Sequence, residues 1–488
     1  MKNLKILLFV ITASLFTGCN DAIDIIQPSE LSPEIAFETV DDLVLGLNGV
    51  YSNAGGENII YFTSLFTDEV KLGISNGGQG RDGQLAFQLT PGSGDASSIW
   101  LQNYALINSA NRLIAGAANI TPTEAEQAKY NDIVAQARVL RAYGHLQLLT
   151  MFSVDMKDDN ALGVIKLDFI PASNQQLPRN TNAEVYALIN SDFDFANDNL
   201  IVYNLTNSNR TSVSVELVNA LRARMALYRE RYSEAAQYAD PLIASRPLTI
   251  KGTNPINGPY RNMFLNLNAT SQETIFKLER TIATNGNFYQ YWSSVNSGVL
   301  GSPFFEVSTA LFNLINTSTD VRRVVVVDPS AAPTYAVKPV GKYPTTQGIP
   351  LNGDIQVFRA SELRFIKAEV LANAGDLQGA MDMVNAVRRV RNNLAATGSV
   401  GVLPTPSNVR DVWRAILDER RAELAFEGFR YVDLRRLGAK ADVSVDRARE
   451  DYEFNGAYTL PIDDHRWILP IPLSEIQGNP NIQQNPGY

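Results

Sequence analysis

The segment SELRFIKAEVLANAGDLQGAMDMVNAVRRVR, residues 361–391, contains two stretches of helical periodicity separated by a short turn. Residues 361–374 carry apolar side chains at steps of three and four, which is the spacing of one helix face. Gly375 and Asp376 follow, and both residue types are common in turns. Residues 377–391 then resume the helical pattern with many small side chains. The segment predicts a helix, a tight turn and a second helix that packs closely against the first.

The same arrangement recurs towards the amino terminus. Residues 215–228 are followed by the charged turn Arg229–Arg231 and by residues 233–244, in which alanines permit close helix contact. Further amphipathic helices are predicted by periodicity at residues 105–118, 125–152 and 182–200. Such pairs are typical of tetratricopeptide repeats, which stack because one pair cannot bury its own apolar face.

Long irregular segments, among them residues 251–303 and 328–350, interrupt the helix pairs. Segments of this length inside a folded protein usually carry function. We therefore predict an all-α dominated fold, with a tetratricopeptide-like scaffold of about four helix pairs, an irregular loop-rich layer and few short strands.

The first residues of the chain have the pattern of a signal peptide. Lys2 and Lys5 form a basic region, and residues 6–16 are an apolar run too short to span a bilayer as a helix. Cys19, the only cysteine of the chain, follows directly after small residues, and a lone cysteine cannot form an internal disulfide. The stretch Phe16-Thr17-Gly18-Cys19 resembles a bacterial lipobox, although leucine is usual in place of Phe16.

The predicted organisation follows from this leader. Residues 1–18 are the signal peptide, residues 19–32 a lipid-anchored tether on Cys19, and residues 33–488 one body with an N-terminal part of about 33–250 and a C-terminal part of about 251–488. A signal peptidase site with an idle cysteine nearby is the alternative. Asn20 after the cysteine favours an outer-membrane destination over an inner-membrane one.

The net charge of the mature chain argues against nucleic acid and anionic lipid headgroups as partners. Removing the leader takes away two lysines and leaves 40 basic and 51 acidic residues, a net charge of −11. A surface of this charge repels nucleic acid and anionic lipid headgroups. We therefore expect no nucleic-acid partner.

Four segments of the chain, at residues 133–152, 357–392, 419–438 and 467–488, resemble the SusD/RagB family of outer-membrane nutrient-binding lipoproteins. With the lipobox at one end and QNPGY at the other, the resemblance extends over the whole chain. It implies a non-catalytic glycan-binding lipoprotein on the cell surface. The implied partner is a SusC-like TonB-dependent outer-membrane barrel, which receives oligosaccharide or polysaccharide from the lipoprotein. The resemblance implies no cofactor and leaves calcium open.

The segment 419–438 combines recurring acids with many arginines. Glu419, Glu423 and Glu427 share a helix face, where neighbouring carboxylates repel one another unless cations bridge them. We predict a salt-bridged network that joins the last helices to the loop layer. A catalytic acid pair is the alternative, although such pairs usually face each other across a cleft.

Sugar binding in water uses flat aromatic faces beside amides and acids. The run NGNFYQYWSS, residues 285–294, has this composition, although crowded aromatics can also form the core of a loop. A second region lies around Trp100, where packing and ligand binding are both open. The predicted glycan-binding residues are Trp100, Asn103, Phe288, Tyr289, Tyr291, Trp292, Tyr61, Asp68 and Arg81.

Signs of catalysis are few. His145 and His465 are the only histidines, and we expect His145 to be a packed, hydrogen-bonded imidazole inside a helix. No HExxH or P-loop motif is present in the sequence. Two other functions remain open. They are a peptide-binding uptake component of the RagB type and, with less support, a glycosidase of the helical-toroid type.

Overall fold

The computed structural model describes residues 37–73, 82–201, 210–265, 271–280, 303–343, 353–392, 402–454 and 456–488. Cys19 and the tether lie outside these residues. The α-helices, numbered in chain order, are α1 (Val40–Asn53), α2 (Glu57–Leu65), α3 (Asp82–Leu85), α4 (Gly94–Ala117), α5 (Gln127–Phe152), α6 (Asn182–Asn199), α7 (Val215–Tyr228), α8 (Tyr232–Ser245), α9 (Pro259–Phe264), α10 (Thr309–Ile315), α11 (Arg323–Val326), α12 (Ala360–Asn373), α13 (Leu377–Asn392), α14 (Val409–Leu424), α15 (Arg430–Ala441), α16 (Arg449–Tyr452) and α17 (Leu473–Gly478).

The scaffold consists of antiparallel helices stacked on their neighbours, as the sequence predicts. Helix α4 packs on α5, α5 on α6, α7 on α8 and α12 on α13, and α8 joins the last two pairs by packing on α12. The fold class is therefore confirmed.

The turn after α12 shows why the sequence stops one helix and starts the next. Gly375 has φ of +82°, a conformation that glycine adopts without a steric penalty. The N–H groups of Gly375 and Asp376 donate to the carbonyls of Ala372 and Leu371, which is the Schellman pattern of a helix end. The Asp376 carboxylate then accepts from the N–H of Gly379 at 2.8 Å, in the first turn of α13. Two adjacent residues therefore close one helix and cap the next.

Helix α4 is longer than predicted. The glycine- and serine-rich stretch before residue 105 reads as a loop, but the helix begins at Gly94. Trp100 and Asn103 therefore lie inside a helix, on the face that also buries Ile99 and Leu106. Because the helix starts earlier than predicted, Trp100 and Asn103 are buried on a helix face and do not lie in an exposed loop.

The loop layer contains two small antiparallel sheets. Strand β1 (Val70–Leu72) pairs with β3 (Phe305–Val307), and β2 (Thr274–Leu278) pairs with β4 (Ile355–Arg359). Both sheets join segments that are far apart in sequence. They fasten the loop layer to the scaffold, because β4 leads directly into α12.

The carboxyl-terminal tail packs across the scaffold. The Asn485 amide donates to the carbonyls of Phe152 at 3.0 Å and Leu469 at 2.7 Å. Arg179 donates to the Asn485 side chain at 2.8 Å and to the Gln483 carbonyl at 3.0 Å. These side chains satisfy buried backbone carbonyls along the tail.

A buried ion-pair network joins the scaffold to the loop layer, which confirms the predicted salt bridges of residues 419–438. The predicted helix face is shorter, because Glu427 lies in the turn after the end of α14 at Leu424. Arg359 and Arg391 both reach the carboxylates of Glu273 and Glu423, at distances of 2.6–2.9 Å. Arg359 also binds Glu427 at 2.8 Å. All these side chains are at most 2% exposed. Burial alone raises the pKa of Glu423, but Arg391 and Arg359 outweigh it and hold that pKa well below its usual range.

None of the helices in the described ranges is long and apolar enough to cross a membrane.

We expect Glu423→Gln to lower the free energy of unfolding by about 3–5 kcal/mol, because it removes one of the two carboxylates that the buried guanidinium groups of Arg359 and Arg391 share. Urea unfolding followed by circular dichroism measures this loss. The control is Glu453→Gln, which breaks an exposed pair with Arg449 whose side chains are 63% and 78% exposed. That control should change stability by less than about 0.5 kcal/mol. Equal effects of the two substitutions would contradict a central role for the network.

Candidate functional site

Two of the predicted binding residues are core residues. Tyr61 is 6% exposed and packs edge-on against Phe305, with ring centroids 6.3 Å apart. Asn103 is 2% exposed, and its amide donates to the Ile99 carbonyl one helical turn away at 2.8 Å. Neither side chain presents its polar atoms to solvent. The structure gives both a packing role and removes them from the set of ligand contacts.

Asp68 is occupied by contacts within the protein. The side chain of Arg430 donates to both carboxylate oxygens at 2.7 Å, and the N–H of Asp446 donates at 2.8 Å. Arg421 lies 3.4 Å away, and Asp68 is fully buried. Burial alone raises the pKa of Asp68, but the two arginines outweigh it and hold that pKa far below its usual range. The structure therefore assigns Asp68 to an ion-pair cluster and not to a ligand or cation.

Glu69, next to Asp68, is a buried acid that the sequence analysis missed. Burial raises its pKa from 4.5 to about 7. Its carboxyl accepts from the Ser64 hydroxyl at 2.7 Å and from the N–H of Phe426 at 3.1 Å. Phe426 has φ of +61°, in the left-handed region that non-glycine residues rarely adopt. Glu69 therefore helps to hold a strained turn between α14 and α15.

The remaining predicted residues, Arg81, Phe288, Tyr289, Tyr291 and Trp292, lie outside the described residues. The residues that border these undescribed segments are described. The N–H of Gly73 donates to the Phe304 carbonyl at 2.7 Å. At the other flank, Arg280 binds the Glu57 carboxylate and the Ala54 carbonyl. The flanks are thus anchored to the scaffold, and the five residues stay predictions.

A cleft of about 690 Å³ lies between α4, residues 165–177 and α17. Its volume is within the range of 300–1,000 Å³ that is usual for ligand sites. The two walls come from parts of the chain about 300 residues apart in sequence, which is why sequence patterns do not reveal the cleft.

Trp100 lines the floor of this cleft but is mostly covered. Its side chain is 2% exposed and packs against Tyr104 and Phe152, with ring centroids 4.8 and 5.0 Å away. Burial raises the pKa of Glu475, and the nearby Trp100 indole N–H opposes that rise. Trp100 is therefore a packing residue that also lies beside a polar group of the cleft, so the packing role and the binding role both have a structural basis.

Buried side chains of the scaffold hold the wall at residues 165–177. The Tyr104 hydroxyl donates to the Ile165 carbonyl and accepts from the Ile165 N–H, both at 2.9 Å. The Asn111 amide donates to the carbonyls of Leu167 and Phe169. These contacts fix a segment without regular secondary structure against α4.

His145 supports the same wall from α5. Its Nε2 accepts from the N–H of Leu167 at 3.1 Å, and its Nδ1 lies 3.0 Å from the Arg141 carbonyl. This arrangement requires the neutral imidazole, with the proton on Nδ1. Burial lowers the pKa of His145 to about 3. The predicted packed histidine is confirmed.

The tail closes the other side of the cleft. The Asn479 amide donates to the Leu177 carbonyl at 2.7 Å, and the Gln176 amide donates to the Gly478 carbonyl at 2.9 Å. Helix α17 and the irregular wall are therefore joined directly. The tail segment, which the sequence analysis did not include among the candidate binding residues, therefore contributes residues to the cleft.

The cleft is rich in amides and poor in charge. Asn108 lies on α4, and exposed Asn174, Gln175 and Gln176 lie on the opposite wall. Such groups donate and accept hydrogen bonds without requiring a charged ligand. Among the described lining residues, Glu475 is the only acid, whereas glycoside hydrolysis ordinarily uses two carboxyl groups. The arrangement suits binding of a hydroxyl-rich molecule.

Within the part of the chain that the structure describes, no group of three or more histidine, cysteine or acidic side chains could hold a metal ion.

Comparison with known proteins agrees with this architecture. The sequence model of the SusD family matches residues 338–488. SusD-like protein P2 of Formosa agariphila is 27% identical over 535 aligned positions, which cover both chains completely. SusD-like protein P38 of the same organism is 25% identical, over 100% of this chain and 99% of its own.

Solved structures share the fold. A SusD superfamily protein from Bacteroides thetaiotaomicron has a TM-score of 0.75 at 24% identity, over 92% of this chain and all of its own. A SusD-like carbohydrate binding protein from Bacteroides vulgatus has a TM-score of 0.70 at 20% identity, over 91% of this chain and 98% of its own. The stacked helix pairs with a loop layer are thus the SusD type of fold.

The chain is therefore similar to SusD-like proteins over its whole length, and its residues 338–488 match the SusD family model.

We expect the raised pKa of Glu69 to give stability a pH dependence of unusual sign. The native carboxyl holds its proton up to about pH 7, whereas the unfolded one releases it near 4.5. Its stabilising contribution is therefore complete below pH 4.5 and is lost as the pH rises through 7. The lost contribution amounts to about 3 kcal/mol.

Glu69→Gln cannot ionise and should lack this decline. Urea unfolding of both proteins at pH 5 and pH 8 measures it, and the variant should gain stability relative to wild type at pH 8. Exposed Glu124→Gln serves as the control and should follow wild type. Parallel pH profiles of wild type and Glu69→Gln would show that Glu69 is ionised in the native protein at neutral pH.

Proposed function

We propose that the protein is a non-catalytic, cell-surface lipoprotein that captures oligosaccharide or polysaccharide and delivers it to a SusC-like TonB-dependent outer-membrane barrel. The cleft between α4 and α17 is the observation that carries the glycan-binding part. It combines the size of a ligand site with the partly buried Tyr104 beside the covered Trp100, a wall of amides and few charges. Sugars are recognised by this combination of an apolar surface and hydroxyl-binding amides.

The family match at residues 338–488 and the similarity to SusD-like proteins support the barrel as the partner and the outer membrane as the location. The lipobox-like sequence at Cys19 supports the lipid anchor. An acyl chain contributes about 0.8 kcal/mol per buried CH₂, so two or more chains hold a protein stably at a bilayer. In this proposal the tether lets the body move relative to the barrel without leaving the membrane.

Gly478→Trp should block the cleft and abolish glycan binding. A Cβ at Gly478 would meet no atom within 4 Å, so the added side chain fits the backbone and occupies the cleft mouth. Gly49→Trp on exposed α1 is the matched control, because Gly49 also has no neighbour within 4 Å. Affinity gels with a panel of polysaccharides, followed by calorimetry with oligosaccharides and peptides, measure the effect.

The outcomes of this experiment separate the possible functions. Binding that survives Gly478→Trp but is lost in Trp292→Ala places the site in residues 285–294 instead of the cleft. Binding of peptides but of no glycan contradicts the proposal and supports the RagB-type function. Release of reducing sugar by the purified protein would indicate a glycosidase. Trp100→Ala is unsuitable here, because truncating a buried tryptophan costs about 3–5 kcal/mol of stability.

Cys19→Ala should abolish retention at the cell surface while leaving glycan binding unchanged. The reason is that the substitution removes the thiol that carries the lipid but lies outside the body. Membrane fractionation and protease accessibility of intact cells measure retention, and calorimetry on purified protein measures binding. Asn20→Ala is the neighbouring control and should keep the anchor. Normal retention of the Cys19→Ala protein would contradict lipid anchoring at this residue.

A further inference from the structure

Glu475 differs from the buried acids of the ion-pair networks. Asp68, Glu273, Glu369 and Glu423 each contact at least one arginine. Glu475 is partly buried at the cleft, and among the described residues no lysine, arginine or histidine lies within 4 Å of its carboxylate. Burial without a cation is unfavourable for a carboxylate, so such a group in a native structure needs an explanation.

The contacts of Glu475 leave it able to bind a ligand. Both Trp100 and Glu475 line the cleft, and the indole N–H lies close enough to oppose the rise in the carboxyl pKa that burial causes. A carboxylate has about four acceptor positions, so most of them remain open to a ligand. The carboxylate is also close enough to Tyr104 to raise the pKa of that phenol, together with burial, which is the larger cause. Trp100 and Tyr104 are both packed against the scaffold, so the carboxylate is held by rigid neighbours.

The two charged residues of the cleft lie at opposite ends. Arg112 is three helical turns beyond Trp100 on α4, which is about 18 Å at 1.5 Å per residue. The exposed amides Asn174, Gln175 and Gln176 line the opposite wall. An extended oligosaccharide along α4 would therefore meet a hydrogen-bond acceptor at one end and a donor at the other.

We propose that Glu475 is the specificity-determining residue of the cleft and that it selects neutral oligosaccharides over uniformly acidic ones. The inference rests on the proposed glycan-binding function. At the Trp100 end of the cleft, the carboxylate accepts hydrogen bonds from two hydroxyl groups of one sugar ring. A carboxylate or sulfate on that ring would face a like charge in a partly desolvated site, where repulsion is stronger than in water.

Calorimetry at pH 7.5 with the full mature chain tests this inference. The probes are neutral cello-, xylo-, manno- and laminari-hexasaccharides and hexagalacturonate, in which every ring carries a carboxylate. Wild type should bind at least one neutral probe and should bind hexagalacturonate at least tenfold more weakly. Glu475→Gln should bind the neutral probe about tenfold more weakly, because hydrogen bonds to a charged acceptor are the stronger ones. The same substitution should reduce the ratio between the affinity for the neutral probe and the affinity for hexagalacturonate.

Two further variants make the result specific. Glu475→Asp keeps the charge but shortens the side chain, so it should lose affinity for the neutral probe and still reject hexagalacturonate. Exposed Glu124→Gln, which does not line the cleft, should bind both probes like wild type. Circular dichroism and thermal unfolding establish that each variant is folded. If Glu475→Gln does not fold, the binding of Glu475→Asp tests the role of Glu475.

The inference and the proposed function fail in different ways. Wild type that prefers hexagalacturonate, or a folded Glu475→Gln protein with unchanged affinities, would overturn the role of Glu475 and leave glycan binding intact. Wild type that binds no glycan of the panel or of the wider affinity gels, but binds peptides, would overturn the proposed function itself.

Discussion

The buried cluster of Glu273, Arg359, Arg391 and Glu423 is the interaction on which the two layers of the protein depend. Its members come from the residue before β2, the end of β4, the end of α13 and the last turn of α14. A cluster of this kind adds little net stability, because taking the charges out of water costs as much as their attraction returns. The cluster instead determines how the two layers are positioned, because any other arrangement would leave buried charges without oppositely charged neighbours. The loop layer can therefore dock on the scaffold in one arrangement.

The cleft depends on the same scaffold through neutral hydrogen bonds. Helices α4 and α5 provide Tyr104, Asn111 and His145, which bind backbone groups of the irregular wall. Because these side chains are rooted in long packed helices, a wall without regular secondary structure still has a defined position. Polar core residues in this protein thus serve mainly to place irregular backbone, which is what a binding site built from loops requires.

The sequence predicts the scaffold well and the site poorly, for physical reasons. Helix pairs can be predicted because apolar periodicity and turn residues such as Gly375 are signals within short stretches of sequence. The salt-bridged network was also predictable, since acids four residues apart on a helix require cations. Burial of Trp100 and Asn103 was not, because glycine and serine residues near 94–99 conceal the first turns of α4. Asp68 shows the same limit, since its arginine partners are more than 350 residues away in sequence.

The cleft shows why site residues can lie in segments that a sequence marks as structural. The tail after residue 467 satisfies carbonyls of the scaffold through Asn485 and holds the irregular wall through Asn479. The same stretch carries Glu475 on a short helix whose position is set by those contacts. Since the tail both anchors the wall and supplies the carboxylate, the scaffold contacts and the site cannot vary independently. Differences in ligand preference among proteins of this fold are then expected to arise at exposed cleft positions such as Asn174.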